Sequence, residues 1–308
     1  MRIGIIGAGA LGLYYGALLQ RAGHEVRFLL RRDYEAISRQ GLRVTSPHGD
    51  FHLERVAGFR DPGQIGQVDL CLIGLKTFAN ERLRELAAPL IGTQTAVLTL
   101  QNGLGNEELL AAAFGAERVL GGIAFLCANR GAPGTVHHLD QGRIRLGEFA
   151  GGSSARAERI AATFREADIP CEAVADLAKA RWEKLVWNIP FNGLCALTGL
   201  TTDHLLAQPS LRTQIHAMMN EVIAAGNAQG LSAPIDPDFA RRMLSVTEGM
   251  GAYRPSMMID RQEERPMELE AIYAIPLQRA AQKGAPMTRV ALLHALLALQ
   301  EQKTSGQS

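Results

Sequence analysis

The first 32 residues read MRIGIIGAGALGLYYGALLQRAGHEVRFLLRR, and this stretch decides the fold of the amino-terminal half. The short apolar run at Arg2–Ile6 predicts a strand buried on both faces. Helical spacing follows over Ala10–Arg21, Gly23 is placed to cap that helix, and Glu25–Leu30 predicts a second strand. Strand, helix and strand within about 30 residues make a βαβ unit, which predicts a parallel sheet.

The turn between the first strand and the helix carries the pattern G-x-G-x-x-G. Gly7 permits a tight turn, Gly9 lets the backbone approach a pyrophosphate, and Gly12 lets helix and strand pack closely. The helix N-terminus offers N–H groups and a positive dipole end to an anion. In this strand–turn–helix context the pattern predicts a dinucleotide site. The predicted cofactor-binding loop consists of Gly7, Ala8, Gly9, Ala10, Leu11 and Gly12.

The end of the second strand predicts which dinucleotide binds. An acid at this place would accept hydrogen bonds from a ribose 2′-hydroxyl, but the chain has Leu30-Arg31-Arg32. Two guanidinium groups can hold a 2′-phosphate through charge-assisted bonds. Asp33 comes slightly late and is interpreted as a helix N-cap. We therefore predict NADPH, with the choice between Arg31 and Arg32 left open.

Strand and helix patterns continue to alternate up to residue 174. The predicted elements are a hairpin at 42–54, strands at Val68–Lys76 and Thr95–Leu100, helices at Phe78–Leu90, Asn106–Phe114 and Ala155–Ala167, antiparallel strands over Val119–Phe149, and a last strand at 169–174. Beyond this point long helical patterns dominate. We predict an α/β fold, with a Rossmann-type NADPH-binding domain at 1–175 followed by an all-helical substrate and catalytic domain at 176–308.

Composition limits the classes of function. A net charge of +1 over 308 residues does not favour a nucleic-acid partner. The sequence shows no secretory signal and no apolar run long enough for a membrane span. The four cysteines form no C-x-x-C pair and read as reduced core thiols, so a cytoplasmic location is expected. No metal site is expected, because no two histidines stand at ligand spacing on a predicted helix.

Two polar residues follow predicted strands. Lys76 lies in LKTF and Asn102 in LQNGLGN. Ligands of open parallel sheets bind beyond the carboxyl ends of the strands, so both side chains are expected near the nicotinamide end of the cofactor. A solvated lysine and a turn asparagine are the structural alternatives.

The segment RWEKLVWNIPFNGL, residues 181–194, places Lys184, Asn188 and Asn192 four residues apart. On a helix they form one stripe among apolar neighbours. Burying a lysine and two amides without partners would cost several kcal/mol, so the stripe predicts a cleft that holds a polar ligand. Hydrogen bonding between helices is the alternative. Further along, Ser256 and Glu268 would suit a ligand with both a carboxylate and a hydroxyl, although alone they read as a cap and a surface residue.

Together these motifs resemble the ketopantoate reductase (2-dehydropantoate 2-reductase) family over essentially the whole chain. The resemblance rests on GAGALG, the paired arginines, LKT at 75–77, QNG at 101–103, the Lys184 stripe, and the segment from Ser256 through Asp260 to Glu268. It implies that NADPH reduces the C2 ketone of ketopantoate to pantoate, on the route to pantothenate and coenzyme A.

The resemblance also implies roles for single residues. Lys184 is the general acid, Glu268 holds the distal hydroxyl of the substrate, and Asn188 and Asn192 position the same end. Ser256 helps to bind the substrate carboxylate. Asn102 lies between nicotinamide and substrate, and Lys76 contacts substrate or cofactor.

The chain departs from the family pattern after Glu268, where it reads Glu268-Leu269-Glu270 and has Ala274 in place of a glycine. This departure leaves a reductase of another 2-keto acid as an alternative. A non-catalytic NADPH sensor is a second alternative, which the retained Lys184 stripe disfavours. The helical half has enough apolar surface to support a homodimer.

Overall fold

The computed structural model describes residues 1–305, and the last three residues of the predicted second domain lie outside this part of the chain. Within it the strands are β1 Arg2–Ile6, β2 Glu25–Leu29, β3 Leu42–Thr45, β4 Phe51–Leu53, β5 Ala57–Phe59, β6 Leu70–Ile73, β7 Ala96–Thr99, β8 Val119–Arg130, β9 Thr135–Glu148 and β10 Cys171–Ala173. The helices are α1 Ala10–Arg21, α2 Tyr34–Gln40, α3 Leu83–Ala87, α4 Asn106–Phe114, α5 Ala155–Glu166, α6 Leu177–Thr198, α7 Thr202–Leu206, α8 Pro209–Asn227, α9 Phe239–Glu248, α10 Ser256–Gln262, α11 Ile275–Gln282 and α12 Thr288–Ser305.

The strands form one sheet in the order β4-β3-β9-β8-β7-β6-β1-β2-β5, with β10 paired to β9. Strand β1 pairs in parallel with β2 on one side and with β6 on the other. The chain thus adds β2 and β5 on one side of β1 and, later in the sequence, β6 and β7 on the other side. Such a reversal leaves a crevice at the carboxyl ends of the strands, where ligands of open α/β sheets bind.

The predicted βαβ unit is confirmed, with β1 and α1 at the expected residues. Strand β1 is buried on both faces, since Ile3 and Ile5 belong to one apolar cluster and Ile6 to another. The predicted hairpin at 42–54 is the antiparallel pair β3–β4. The predicted antiparallel strands at 119–149 are β8 and β9.

The predicted helix at Phe78–Leu90 is wrong for most of its length. Residues Thr77–Arg82 form a 3₁₀ segment, α3 covers only Leu83–Ala87, and a second 3₁₀ turn occupies Ala88–Leu90. Pro89 lacks an N–H and cannot donate the next hydrogen bond of the helix, which ends the helix early. Strand β5 was not predicted, because three residues are too few to show an alternating pattern.

The chain divides into two compact units, with the boundary between Leu177 and Ala178. The four residues Asn102–Gly105 are an exception, because they group with the second unit. The first unit contains the sheet and α1 to α5. The second contains the remaining helices, packed around an apolar core that includes Trp182, Phe191 and Tyr273. The assignment of cofactor binding to 1–175 and of catalysis to 176–308 stays a prediction.

Candidate active site

The glycine loop after β1 has the backbone that its sequence predicts. Gly7 has φ +96°, and a Cβ there would lie 2.3 Å from the backbone nitrogen of Leu75. A Cβ on Gly12 would lie 2.3 Å from the carbonyl oxygen of Gly7. At Gly9, by contrast, a Cβ would meet nothing within 4 Å among the described residues. Two glycines are therefore required by packing, whereas Gly9 faces open space at the N-terminus of α1.

Asp33 does not cap α2 with its side chain, which corrects the sequence-based interpretation. It stands at the N-cap position, but its backbone is helical (φ −90°, ψ −2°) and its carboxylate makes no capping bond. Side-chain caps form from extended backbone at this position. The carboxylate is buried and accepts hydrogen bonds from the Arg130 guanidinium and from the backbone N–H of Gly134 at 3.1 Å.

The two arginines before Asp33 are both exposed but differ in their contacts. Nη2 of Arg32 donates to the carbonyl oxygen of Gly131 at 3.2 Å, in the turn between β8 and β9. Within residues 1–305, no hydrogen bond or ion pair engages the guanidinium of Arg31. The donors of the Arg31 guanidinium are thus unengaged within residues 1–305, whereas Arg32 uses one donor on the hairpin turn.

Lys76 follows β6 and is half-buried at the start of the 3₁₀ segment Thr77–Arg82. Its neighbours Gly74 and Leu75 touch Gly7, so the ends of β1 and β6 meet as the parallel topology requires. Nearby lies a buried polar chain that sequence reasoning missed. Thr99 donates to Gln101 at 3.0 Å, Gln101 to Asn80 at 2.7 Å, and Asn80 to Asn106 at 3.0 Å. The signal available in the sequence was the run of polar residues after a buried strand.

The stripe of Lys184, Asn188 and Asn192 lies on α6, which continues as a helix through Pro190. Lys184 is half-buried, and the two asparagines are each 2% exposed. Nδ2 of Asn188 is buried and finds no hydrogen-bond acceptor among the residues that the structure describes. An unmatched buried amide costs about 1–3 kcal/mol, so it marks a place where a ligand oxygen would be stabilised.

Asn192 is held in a defined orientation by helix α10. Its Oδ1 accepts the backbone N–H of Met257 at 3.1 Å and, more weakly, the hydroxyl of Ser256 at 3.4 Å. Because an N–H donor must face the amide oxygen, the Nδ2 group of Asn192 is directed away from α10. The structure thus brings together two predicted substrate residues, Asn192 and Ser256, that lie 64 positions apart.

Glu268 is 3% exposed and lies two residues before a π-helical turn at Glu270–Ala274. Such turns occur frequently at functional sites. The loop Asn102–Gly105 packs against this turn, since the backbone N–H of Leu104 donates to the carbonyl oxygen of Ala271 at 2.9 Å. A Cβ on Gly103 would lie 2.3 Å from the same carbonyl oxygen, so this close approach requires glycine.

The predicted site residues fall into two groups. The second unit contains Asn102, Lys184, Asn188, Asn192, Ser256 and Glu268. The first contains the loop Gly7–Gly12, Arg31, Arg32 and Lys76. Every residue predicted to act on substrate, apart from Lys76, therefore belongs to one compact unit. The individual roles stay predictions.

The four cysteines are buried and form no disulfide. Burial raises the pKa of Cys71, Cys171 and Cys195 to about 12, which keeps these thiols protonated and unreactive. Across residues 1–305 no group of three His, Cys, Asp or Glu side chains is placed to hold a metal ion. In the same range no helix has both the length and the apolar character to cross a bilayer. The cytoplasmic location and the homodimer stay predictions.

A mostly parallel sheet with a glycine turn at its topological switch point, joined to a helical unit, has the architecture of the Rossmann-type dinucleotide-binding class. Residues 3–151 match the family model described as ketopantoate reductase PanE/ApbA, and residues 176–301 match the model of the C-terminal domain of the same family. The chain therefore belongs to the ketopantoate reductase family.

Individual relatives agree with this assignment. A 2-dehydropantoate 2-reductase of Nostoc sp. is 42% identical, with 98% of this chain and 96% of the relative covered. The crystal structure of 2-dehydropantoate 2-reductase from Geobacter metallireducens is 57% identical, with a TM-score of 0.96 over 97% of this chain and 100% of the other. A D-mandelate dehydrogenase, solved with NADH and anilino(oxo)acetate, shares the fold at 22% identity, with a TM-score of 0.91 over 99% of each chain.

Proposed function

We propose that this protein reduces 2-dehydropantoate (ketopantoate) to pantoate with NADPH, a step towards pantothenate and coenzyme A. Membership of the family and the relatives named 2-dehydropantoate 2-reductase support the reaction. The observation that carries the proposal is the buried amide of Asn188, which has no acceptor in residues 1–305 and lies on the same helix as Lys184. A substrate oxygen accounts for that amide.

The glycine loop fits the pyrophosphate of the cofactor. Gly9 leaves space where the backbone must approach the ligand, and the N-terminus of α1 favours negative charge. Arg31 and Arg32 would hold the 2′-phosphate, with Arg31 making the larger contribution because its donors are not shared with Gly131. When bound, NADPH supplies the hydride.

The substrate would be held by the polar residues of the second unit. Asn188 donates Nδ2–H to an oxygen at the hydroxyl end, and Asn192 does the same because its Oδ1 is occupied by Met257. Glu268 accepts a hydrogen bond from the distal hydroxyl. The Ser256 hydroxyl exchanges its long contact with Asn192, at 3.4 Å, for a bond to the substrate carboxylate.

Lys184 would supply the proton. As the ketone carbon accepts the hydride, negative charge develops on its oxygen, and the ammonium group of Lys184 stabilises that charge and transfers one proton to it. The ketone becomes a secondary alcohol, and the neutral amine regains a proton from water. Asn102 steadies the reacting group from the loop beside the π-helical turn, and Lys76 orients the substrate or the cofactor.

The proposal is tested by steady-state oxidation of NADPH, followed at 340 nm, with a panel of 2-keto acids. The panel compares ketopantoate with 2-keto acids of similar branching that lack the 4-hydroxyl. We expect the highest kcat/KM for ketopantoate, because only a distal hydroxyl can use the carboxylate of Glu268. Glu268→Gln should remove most of this preference while the weaker substrates change little.

A reductase of a different 2-keto acid is the second candidate, because the chain has Ala274 where the family pattern has a glycine, in the π-helical turn after Glu268. In that case another member of the panel exceeds ketopantoate in kcat/KM. Absence of NADPH oxidation with every 2-keto acid would contradict both candidates.

A further inference from the structure

We infer that Arg130 determines coenzyme choice by neutralising Asp33, so that the only acid in the segment Leu30–Tyr34 cannot repel a 2′-phosphate. The inference rests on the proposed use of NADPH and extends it to a residue 97 positions away from Asp33. The D-mandelate dehydrogenase of the same fold was solved with NADH, so the fold by itself does not decide between the two coenzymes.

Asp33 follows the two arginines directly and lies four residues after the end of β2, slightly beyond the place where dinucleotide folds use an acid to bind the ribose of NADH. Its side chain is only 3% exposed. A carboxylate buried to that degree is stable only when it is paired and hydrogen-bonded. The Arg130 guanidinium and the N–H of Gly134 meet both requirements.

The contacts that hold Asp33 come from the turn of the β8–β9 hairpin. Arg130 is the last residue of β8, and Gly131 and Gly134 belong to the turn. Arg32 also donates to this turn, through the carbonyl oxygen of Gly131 at 3.2 Å. The hairpin turn and the end of β2 are thus joined by three contacts within one compact unit.

The charge balance explains the consequence for coenzyme binding. With Arg130 in place, the carboxylate is compensated and Arg31 and Arg32 present a net positive charge to the ligand. Without Arg130, an uncompensated carboxylate stands beside the two arginines, where it repels a phosphate and competes for their guanidinium groups. The ribose 2′-hydroxyl of NADH carries no charge and can donate a hydrogen bond to the released carboxylate.

The experiment measures the dissociation constants of NADPH and NADH by calorimetry, without substrate, for Arg130→Gln, Asp33→Asn and the double variant. Arg130→Gln should lower the preference for NADPH over NADH at least about tenfold, since an uncompensated like charge costs more than 1.4 kcal/mol. The double variant should recover NADPH affinity to the level of Asp33→Asn, because the repelling charge is gone.

Arg156→Gln is the matched control. Arg156 and Glu148 form a similar ion pair in the same unit, with side chains 29% and 9% exposed, against 30% and 3% for Arg130 and Asp33. The Arg156→Gln variant should leave the coenzyme preference unchanged. Circular dichroism checks the fold of each variant. If Arg130→Gln does not fold, Asp33→Asn compared with the double variant still decides, because neither carries a buried unpaired carboxylate.

An unchanged preference in Arg130→Gln overturns the inference. A double variant that binds NADPH as weakly as Arg130→Gln, or more weakly than Asp33→Asn, also overturns it, since Arg130 would then contact the phosphate directly. These outcomes leave the proposed function standing. If the unaltered protein binds neither coenzyme, the proposed function itself fails.

Discussion

The phenolic hydroxyl of Tyr273 donates a hydrogen bond to the backbone carbonyl of Ile189 at 2.8 Å. This bond joins the π-helical turn after Glu268 to the middle of α6, one residue beyond Asn188. Tyr273 is fully buried, and a Cβ on Gly193 would lie 2.5 Å from its hydroxyl. The two elements that carry the predicted substrate residues are therefore fixed to each other by one polar contact.

Removing that contact should weaken both stability and catalysis. We expect Tyr273→Phe to lower the free energy of unfolding by about 1 kcal/mol, the usual net value of a buried hydrogen bond. It should also raise KM for the 2-keto acid, because Glu268 and Asn188 lose their common anchor. Urea unfolding and steady-state kinetics measure the two effects. Tyr34→Phe, which removes the hydroxyl of a half-buried tyrosine in the first unit, is the control.

The unmatched amide of Asn188 predicts an opposition between stability and activity. Asn188→Leu removes a buried donor that has no acceptor in residues 1–305, so the free energy of unfolding should stay unchanged or rise by up to about 1 kcal/mol. At the same time kcat/KM should fall at least about tenfold, because one hydrogen bond to the substrate is lost. Chemical denaturation and turnover assays on the same preparation test both parts.

Asn192→Leu is the matched comparison, since it lies on the same helix with the same burial. This change leaves the N–H of Met257 without its acceptor and should destabilise the protein by about 1–3 kcal/mol. If both variants destabilised the protein equally, the distinction between the unmatched amide of Asn188 and the amide of Asn192 that also holds α10 would be lost.

Lys184 carries the proposed proton transfer. Lys184→Ala should reduce kcat by about 10²–10⁴-fold, the range typical of a lost general acid, while the dissociation constant of NADPH changes little. Stopped-flow turnover and calorimetry separate these quantities. Lys283→Ala, at an exposed position outside the site, should behave as the unaltered protein. Turnover that survives in Lys184→Ala would remove the general-acid assignment.

The two arginines after β2 should act on one coenzyme. Replacing Arg31 and Arg32 together with Ala is expected to weaken NADPH binding by at least about 100-fold and NADH binding by much less, since two charge-assisted contacts to the phosphate are lost. Of the single variants, Arg31→Ala should have the larger effect, because Arg32 also donates to Gly131. Equal losses for the two coenzymes would contradict the phosphate assignment.

The buried thiols predict a loss of stability in alkali. The pKa of Cys71 is raised from 9.0 to about 12 by burial, so the native state keeps its proton where the unfolded chain releases it. The contribution of the Cys71 thiol to the free energy of unfolding is complete below pH 9. It declines by about 1.4 kcal/mol per pH unit between pH 9 and 12. Urea unfolding from pH 8 to 10.5 tests this. Cys71→Ala should show a shallower decline, and an equal slope would refute the attribution.

Local spacing was sufficient for much of the fold. The ends of β1 and α1, the glycine loop and the helical stripe on α6 were predicted correctly, because each depends on residues within one or two turns of each other. The prediction failed over Phe78–Leu90, where Pro89 and the polar contacts of Asn80 outweigh a helical pattern.

Contacts between distant segments could not be predicted from the sequence and depend on the complete fold. Asp33 was predicted to cap α2, but it pairs with Arg130, which lies 97 positions away. Asn188 and Asn192 are equivalent in the sequence pattern, yet only Asn192 meets a backbone N–H from α10. Periodicity determines which face of a helix or strand is apolar. The pairing of a buried polar group depends on which other element packs against it, and that is set by the whole fold.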